Sequence, residues 1–274
     1  IFGVGPFPEL GVLGAAWSTL ASRLAEATAV VLAVYLKREP VAARVREYLG
    51  FTRTFLARYF KTALPVLLNE IGWSVGITMY TIVFARMGTS VLAAYNITDT
   101  IGRLAFVLFI GTGNALAVMI GNRIGAGQRI LARVYAARAI YLAPVFGLLV
   151  GLVVAAFSGL IPQMYEVAPA VRATVTSMLV LYPLLLVVKV SNLHVVVGIL
   201  RAGGDTRFSL LVDVGVLWVA GVPVVALAGL VLGLPAHIVY LLIGLEELVK
   251  WLISLVRIRS GAWLHDVAGE HHVL

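Results

Sequence analysis

Cysteine does not occur in this chain, and charge is scarce: 12% of its 274 residues are Asp, Glu, Lys or Arg. The first absence excludes disulfides and thiolate chemistry and leaves the redox compartment open. The second excludes an ordinary soluble domain, in which about 25% of residues are charged. Motifs of catalysis are missing as well. There is no HExxH, no GxSxG and no paired catalytic Asp, so no catalytic residue is assigned and an enzyme is not expected. No phosphate-binding loop is present to supply direct ATP drive. What the chain has instead is 61% hydrophobic residues and a mean hydropathy of +1.00. A water-soluble fold of that composition would expose large apolar patches. An all-α, polytopic transmembrane helical bundle turns the same surface toward lipid.

Apolar runs of about 20 residues predict seven spans, near 11–36, 62–86, 91–121, 136–158, 171–200, 208–232 and 236–256. Pro65, Pro144, Pro183 and Pro223 fall inside them, which bundle-buried membrane helices tolerate. The connecting segments alternate between basic and neutral. Lys37, Arg38, Arg44, Arg46, Arg53, Arg58 and Lys61 lie on one side, followed there by Arg123, Arg129, Arg133 and Arg138, then Arg201 and Arg207, then Arg257 and Arg259. The opposite loops, 87–90, 159–169 and 232–237, carry almost no basic residue. The positive-inside rule therefore predicts a multi-pass protein of the plasma (inner) membrane with residues 257–274 as a cytoplasmic tail. The net charge of +8 belongs to that membrane face rather than to nucleic acid, because aromatics are not interleaved with it as a stacking platform. The run 37–61 is expected to lie as an amphipathic linker along anionic headgroups. One helix, 1–36, precedes it and a six-helix lobe, 62–256, follows. Seven spans fit a six-plus-six protein whose first five lie ahead of Ile1.

Ionisable residues recur at one depth. Helical rise puts Glu70 about 14 Å from Lys61, Lys189 about 18 Å from Arg201, Glu246 and Glu247 about 15 Å from Arg257, and Glu26 about 16 Å from Lys37. All approach the midplane of a ~30 Å hydrocarbon core. A carboxylate there costs roughly 2.5–3.5 kcal/mol on insertion scales and usually faces a cavity or a partner. Arg23 and Glu26, Asp99 and Arg103, and Glu246 and Lys250 are spaced to pair along their own helices. Asp213, about 9 Å from Arg207, is expected to snorkel toward water. Glu70 and Lys189 have no partner on their own helices, so they are expected to meet across a polar cavity. The lysine would hold Glu70 ionised until a cation or cationic drug displaced it. Asn69, Trp73 and Ile77 flank Glu70, and Asn96, Asp99 and Arg103 share one face of the next helix. Amides and aromatics around a carboxylate suit flat organic cations through stacking, cation–π contact and hydrogen bonding. His194 is a candidate pH-sensitive group. His265, His271 and His272 sit in a polar tail without fixed partners, so no metal site is expected. No cofactor is expected beyond a coupling ion, Na+ or H+.

Four strings resemble segments of multidrug and toxic compound extrusion (MATE) transporters. GPFPELGVLGAAWSTLASR (Gly5–Arg23) is similar to their sixth transmembrane segment and KTALPVLLNEIGWSVG (Lys61–Gly76) to their seventh. GNALAVMIGNRIGAGQ (Gly113–Gln128) resembles the end of the eighth with its Gly-rich turn, and GILRAGGDTRF (Gly198–Phe208) the loop after the tenth. The resemblance implies a drug/cation antiporter with two six-helix lobes around a central cleft. Its partners would be small organic cations, the lipid bilayer and the N-terminal lobe of the same protein. Glu70 matches a seventh-helix Glu that resembles a cation ligand in many relatives. Many relatives also carry an Asp on the tenth helix; here that neighbourhood reads KVSNLHVVVGILR, with Lys189, Asn192 and His194 but no acid, so the family's second-lobe cation site is incomplete and Glu70 alone carries over from the resemblance. Lys189 and Asn192 stand beside it as coupling candidates of this chain, and His194 with Asn69, Trp73, Asn96 and Asp99 as cavity candidates. In GNRIGAG, Gly121, Gly125 and Gly127 are expected to permit a tight helix exit and close backbone approach. In LRAGGDTRF, Gly203 and Gly204 are expected to turn the chain, Asp205 to cap the helix from Thr206, and Arg201 and Arg207 to meet lipid phosphates. A flippase for lipid-linked precursors is the alternative within the same superfamily. A passive channel would need repeated filter loops, which are absent.

Overall fold

The structure, a computed structural model, describes residues 10–37, 42, 50 and 52–265, apart from the side chains of Val12, Arg58 and Thr62. Most of the basic run between Lys37 and Lys61, with Arg38, Arg44 and Arg46, lies outside the described residues, as do His271 and His272. The chain divides into two units, Ile1–Tyr59 and Phe60–Leu274. The first contains α1 (Gly11–Leu36), on which Arg23 and Glu26 pair at 2.8 Å as their spacing predicts.

Helix α2 (Arg53–Met87) begins in the first unit and continues into the second. It is followed by α3 (Thr89–Gly125), α4 (Arg129–Ala156), a 3₁₀ turn (Ile161–Met164) and α5 (Pro169–Leu193). The last of these continues as a π-helical stretch, His194–Arg201. A composite rod comes next: α6 (Thr206–Val216), a π stretch (Leu217–Gly221), α7 (Val222–Ala226) and a second π stretch (Leu227–Val231). Helix α8 (Ala236–Arg259) closes the lobe. Six of these rods are long and apolar enough to cross a membrane. Helix α8, about 36 Å long by its 24 residues, carries more charge, and Glu246 and Lys250 turn that charge inward. All seven predicted spans therefore correspond to rods. The largest discrepancy is α2, which starts at Arg53 rather than at residue 62.

Helix α5 is the central mast, with Val175, Met178, Leu179, Tyr182, Leu185, Leu186 and Val190 all buried. Lipid tails are as apolar as leucine, so close packing rather than hydrophobic exclusion holds such rods together. Glycines four apart provide it. A Cβ on Gly151 of α4 would fall 2.6 Å from Pro183 Cα, and one on Gly147 would fall 3.2 Å from Val187 Cα. Gly72 and Gly76 of α2 do the same against Val214 and Leu217. Aromatics fill the core nearby, with Phe84 and Tyr95 stacked at 4.3 Å between ring centres.

At the basic end the turns differ from expectation. Gly127 (φ +73°) and Gly204 (φ +85°) make the left-handed turns that a Cβ would strain. Gly121 and Gly125 lie within α3 beside open space, so neither is a point of close approach. Asp205 does not cap α6 through its side chain. Its Oδ2 accepts a 2.7 Å bond from Arg257 Nε at the end of α8, a contact charged on both sides, where a cap would be charged only on the acceptor. The guanidinium also lies 4.9 Å over the Phe208 ring. Beyond α8 the chain folds back: the His265 N–H donates to Gly203 O at 2.8 Å, and Trp263 packs where any side chain at 203 would sit. Trp263 is buried among Ile120, Ala132, Ile199 and Leu200. Trp263→Ala is expected to destabilise the lobe by about 3–5 kcal/mol, read as a lowered unfolding temperature of the purified protein in detergent. Trp218→Ala, at a side chain 38% exposed, should shift it far less.

Candidate functional site

Arg201, at the end of the π stretch that extends α5, reaches toward α2. Its Nη1 donates to Glu70 Oε1 at 2.8 Å and its Nη2 to Asn69 Oδ1 at 2.7 Å. A planar guanidinium suits this two-pronged grip. Asn69, buried, passes the line onward: its Nδ2 donates to Asp213 Oδ2 on α6 at 3.2 Å. The other Asp213 oxygen lies 3.0 Å from Lys250 Nζ on α8. Lys250 also pairs with Glu246 one turn back, as their spacing predicts, and Glu246 accepts a hydrogen bond from the Tyr80 hydroxyl of α2. The result is a continuous file, Glu70–Arg201–Asn69–Asp213–Lys250–Glu246–Tyr80, that starts and ends on α2.

Local helix geometry makes the file possible. The π stretch ending at Gly221 brings backbone against the Tyr80–Glu246 contact, where a Cβ would strike both side chains. Such π bulges concentrate at functional sites. The Arg201 stretch is π-helical too. On α5, Asn192 Nδ2 donates to Glu247 carbonyl O at 2.6 Å and to Glu247 Oε2 at 2.7 Å.

The expected Glu70–Lys189 contact is not formed. Glu70 is taken by Arg201, and among the described residues Lys189 forms no ion pair. Depth counted from Lys61 and from Arg201 ignored the reach of the arginine itself, which turns inward, 17% exposed, instead of out to lipid phosphate. Asp213 likewise does not snorkel; it points into the bundle toward Lys250. The Glu70 side chain remains 56% exposed. Trp73 is exposed beside it. Asn96 and Asp99 sit apart from the file, on α3, lining an open groove of about 490 Å³ with Thr100, Arg103, Leu104 and Val107. There Arg103 Nε donates to Asp99 Oδ2 at 2.7 Å. His194 is buried elsewhere, with Nδ1 2.9 Å from Val190 O and Nε2 3.1 Å from Thr112 Oγ1.

Lys250, Asp213 and Tyr80 as members of one file escaped the sequence reading. A signal for two of them existed: counted from the basic ends, Asp213 and Lys250 lie at about 9 and about 10 Å, nearly the same depth. Arg201→Ala is expected to cost about 1–3 kcal/mol by leaving the Asn69 oxygen buried and unsatisfied. Arg201→Lys should recover only part of that, since an ammonium lacks the planar fork. Thermal unfolding of the two variants in detergent checks the order.

Membrane-length helices around a file of charges, with an exposed carboxylate and a polar groove on the outside, describe a polytopic membrane protein. The MatE family profile matches residues 65–227, more than half of the sequence, and the chain belongs to that family of MATE transporters. The chain is 25% identical over 266 residues to the uncharacterized transporter YisQ of Bacillus subtilis, covering 96% of this chain and 58% of that protein. It is 31% identical over 147 residues to the probable multidrug resistance protein NorM of Deinococcus radiodurans, covering 48% of this chain and 28% of that one. Among solved structures, the outward-facing conformation of a multidrug resistance MATE family transporter of the MOP superfamily superposes with a TM-score of 0.74 at 21% identity, over 94% of this chain and 58% of the other. This chain therefore has the fold of the part of that structure it covers. The chain spans about half the length of the relatives it matches most fully, 58% of one and 49% of the other.

Proposed function

We propose that the protein serves secondary active multidrug efflux, exporting amphipathic organic cations in antiport with Na+ or H+ by alternating access. Family membership supports this, as do the relatives described as probable multidrug resistance proteins and a multidrug and toxin extrusion protein of Mus musculus. Fold neighbours in both outward-facing and inward-facing conformations support the alternating-access part. The observation that carries the reading is Glu70: a carboxylate within a membrane rod, exposed yet engaged by an internal cation. In this reading Arg201 stands in for the coupling ion in the unloaded state. An arriving cation competes for Glu70, and the guanidinium keeps its second hold on Asn69 while it yields. Asn96 and Asp99 face the transported compound from their groove on α3, with Trp73 stacking against flat rings. Lys189, Asn192 and His194 are the other polar groups proposed to respond to the coupling ion or compound. The basic face lies toward the cytoplasm of the inner membrane, by charge bias.

Efflux of a fluorescent organic cation from cells carrying the full-length protein tests this. Collapse of the sodium or proton gradient should abolish export, and Glu70→Gln should reduce it at least tenfold with the protein still in the membrane. Export indifferent to both gradients would rule out antiport.

A further inference from the structure

Deep in the bundle, two carboxyl groups share one ammonium group. Lys250 touches both Asp213 and Glu246, and the lysine and glutamate side chains are 1% and 2% exposed. The groups facing them come from every neighbouring rod. Helix α2 contributes the Tyr80 hydroxyl to Glu246 and the Asn69 amide to Asp213. The π stretch before α7 contributes only the backbone of Gly221. Helix α5 contributes Asn192, which donates to Glu247, the next residue along α8; that carboxylate adds a further negative charge acting on Glu246 and Lys250 without touching the lysine. Arg201 neutralises Glu70 and reaches Asp213 only through Asn69. Lys189 joins no ion pair among the described residues.

The lysine cancels one negative charge, so with both touching carboxyls ionised the trio would hold an unmet charge in a low-dielectric bundle, which is costly. One added proton makes it neutral. A metal cation is disfavoured, because the ammonium already occupies the position between the two carboxylates that such an ion would need. We infer that Asp213, Lys250 and Glu246 form a proton-binding site separate from Glu70, in which the two carboxyls share one exchangeable proton beside the lysine. Uptake turns one carboxylate into a carboxyl at the expense of hydronium and breaks no covalent bond elsewhere. The proton belongs to the pair, as in other closely coupled carboxyls. When it leaves, both carboxylates compete for Lys250, and the change reaches Glu70 along Asp213, Asn69 and Arg201. Use of that link in transport rests on the efflux reading; the site itself does not.

Infrared difference spectra of the full-length protein in lipid, taken between alkaline and acidic buffer, read the protonated-carboxyl stretch and its shift in deuterated water. Asp213→Asn and Glu246→Gln should each remove the same single component, because either change leaves one carboxylate matched by the lysine. The double variant should remove no more than either alone. Lys250→Met should add one protonated carboxyl at neutral pH, and Glu247→Gln should leave this component in place. The site is refuted if both single neutralisations leave the spectrum unchanged, or if they remove two separate components. Should either single variant fail to fold, Lys250→Met decides alone, and an unaltered carboxyl band in it overturns the proposal. No transported compound is present in this measurement, so its result is independent of the efflux assay.

Discussion

Charge carried into a lipid-facing bundle has to be met by charge, and here it is met across helices. Two internal cations, Arg201 and Lys250, do most of the meeting. Arg201 ties the extended α5 to α2, and Lys250 ties α8 to α6. Removing one member of the buried Lys250–Glu246 pair strands the other, typically at about 3–5 kcal/mol. The file therefore constrains four rods at once, and their rotations about their own axes are fixed by it. A helix turned by one residue position, about 100°, would point Asp213 or Asn69 at apolar surface. Burying charge adds little net stability against an apolar core of the same shape. What it enforces is one arrangement of the rods.

Glycine makes the charges close enough to matter. Gly72 and Gly76 let α2 lie against Val214 and Leu217, and Asp213, beside that contact, comes within reach of Asn69. Gly221 clears the space in which Tyr80 and Glu246 meet. Gly147 and Gly151 lock α4 onto the mast at Pro183, where proline has already removed one backbone donor. The π stretches serve the same end, since widening the coil by a residue shifts the faces of everything that follows. The Arg201 guanidinium and the Gly221 backbone are both placed by such stretches.

Span positions and the local ion pairs on α1, α3 and α8 were readable from sequence, because both depend on spacing within one helix. The four MATE-like strings pointed to the family that the profile match then established. Glu70 was visible as an acid at depth, but its partner was not. Choosing between Lys189 and Arg201 required knowing side-chain direction across two rods, and a long arginine can turn either way from a helix end. The snorkelling expected of Asp213 failed for the same reason. Asp205 was read locally, as a cap, when a charged partner 52 residues later in the chain held it instead. Contacts between rods are set by packing angles that no single-helix periodicity contains.

Helix α2 contributes to the file at both ends, with Asn69 and Glu70 near one level and Tyr80 about 15 Å further along. A rod gripped at two depths resists sliding and tilting alike, because either motion would break charged contacts at both levels. Within this lobe, then, α2 is not expected to move past α5, α6 and α8. In the efflux reading proposed above, the motion that breaks the fewest ties carries these rods together as one body, a rocking mode. The polar surface it presents is the exposed end of the file at Glu70, with Trp73 of α2 and the Asn96–Arg103 groove of α3. Rigidity inside and polar exposure outside thus follow from a single arrangement. The charges that hold the rods are spent on one another, and only at Glu70 does the line of ties end in an acid more than half exposed.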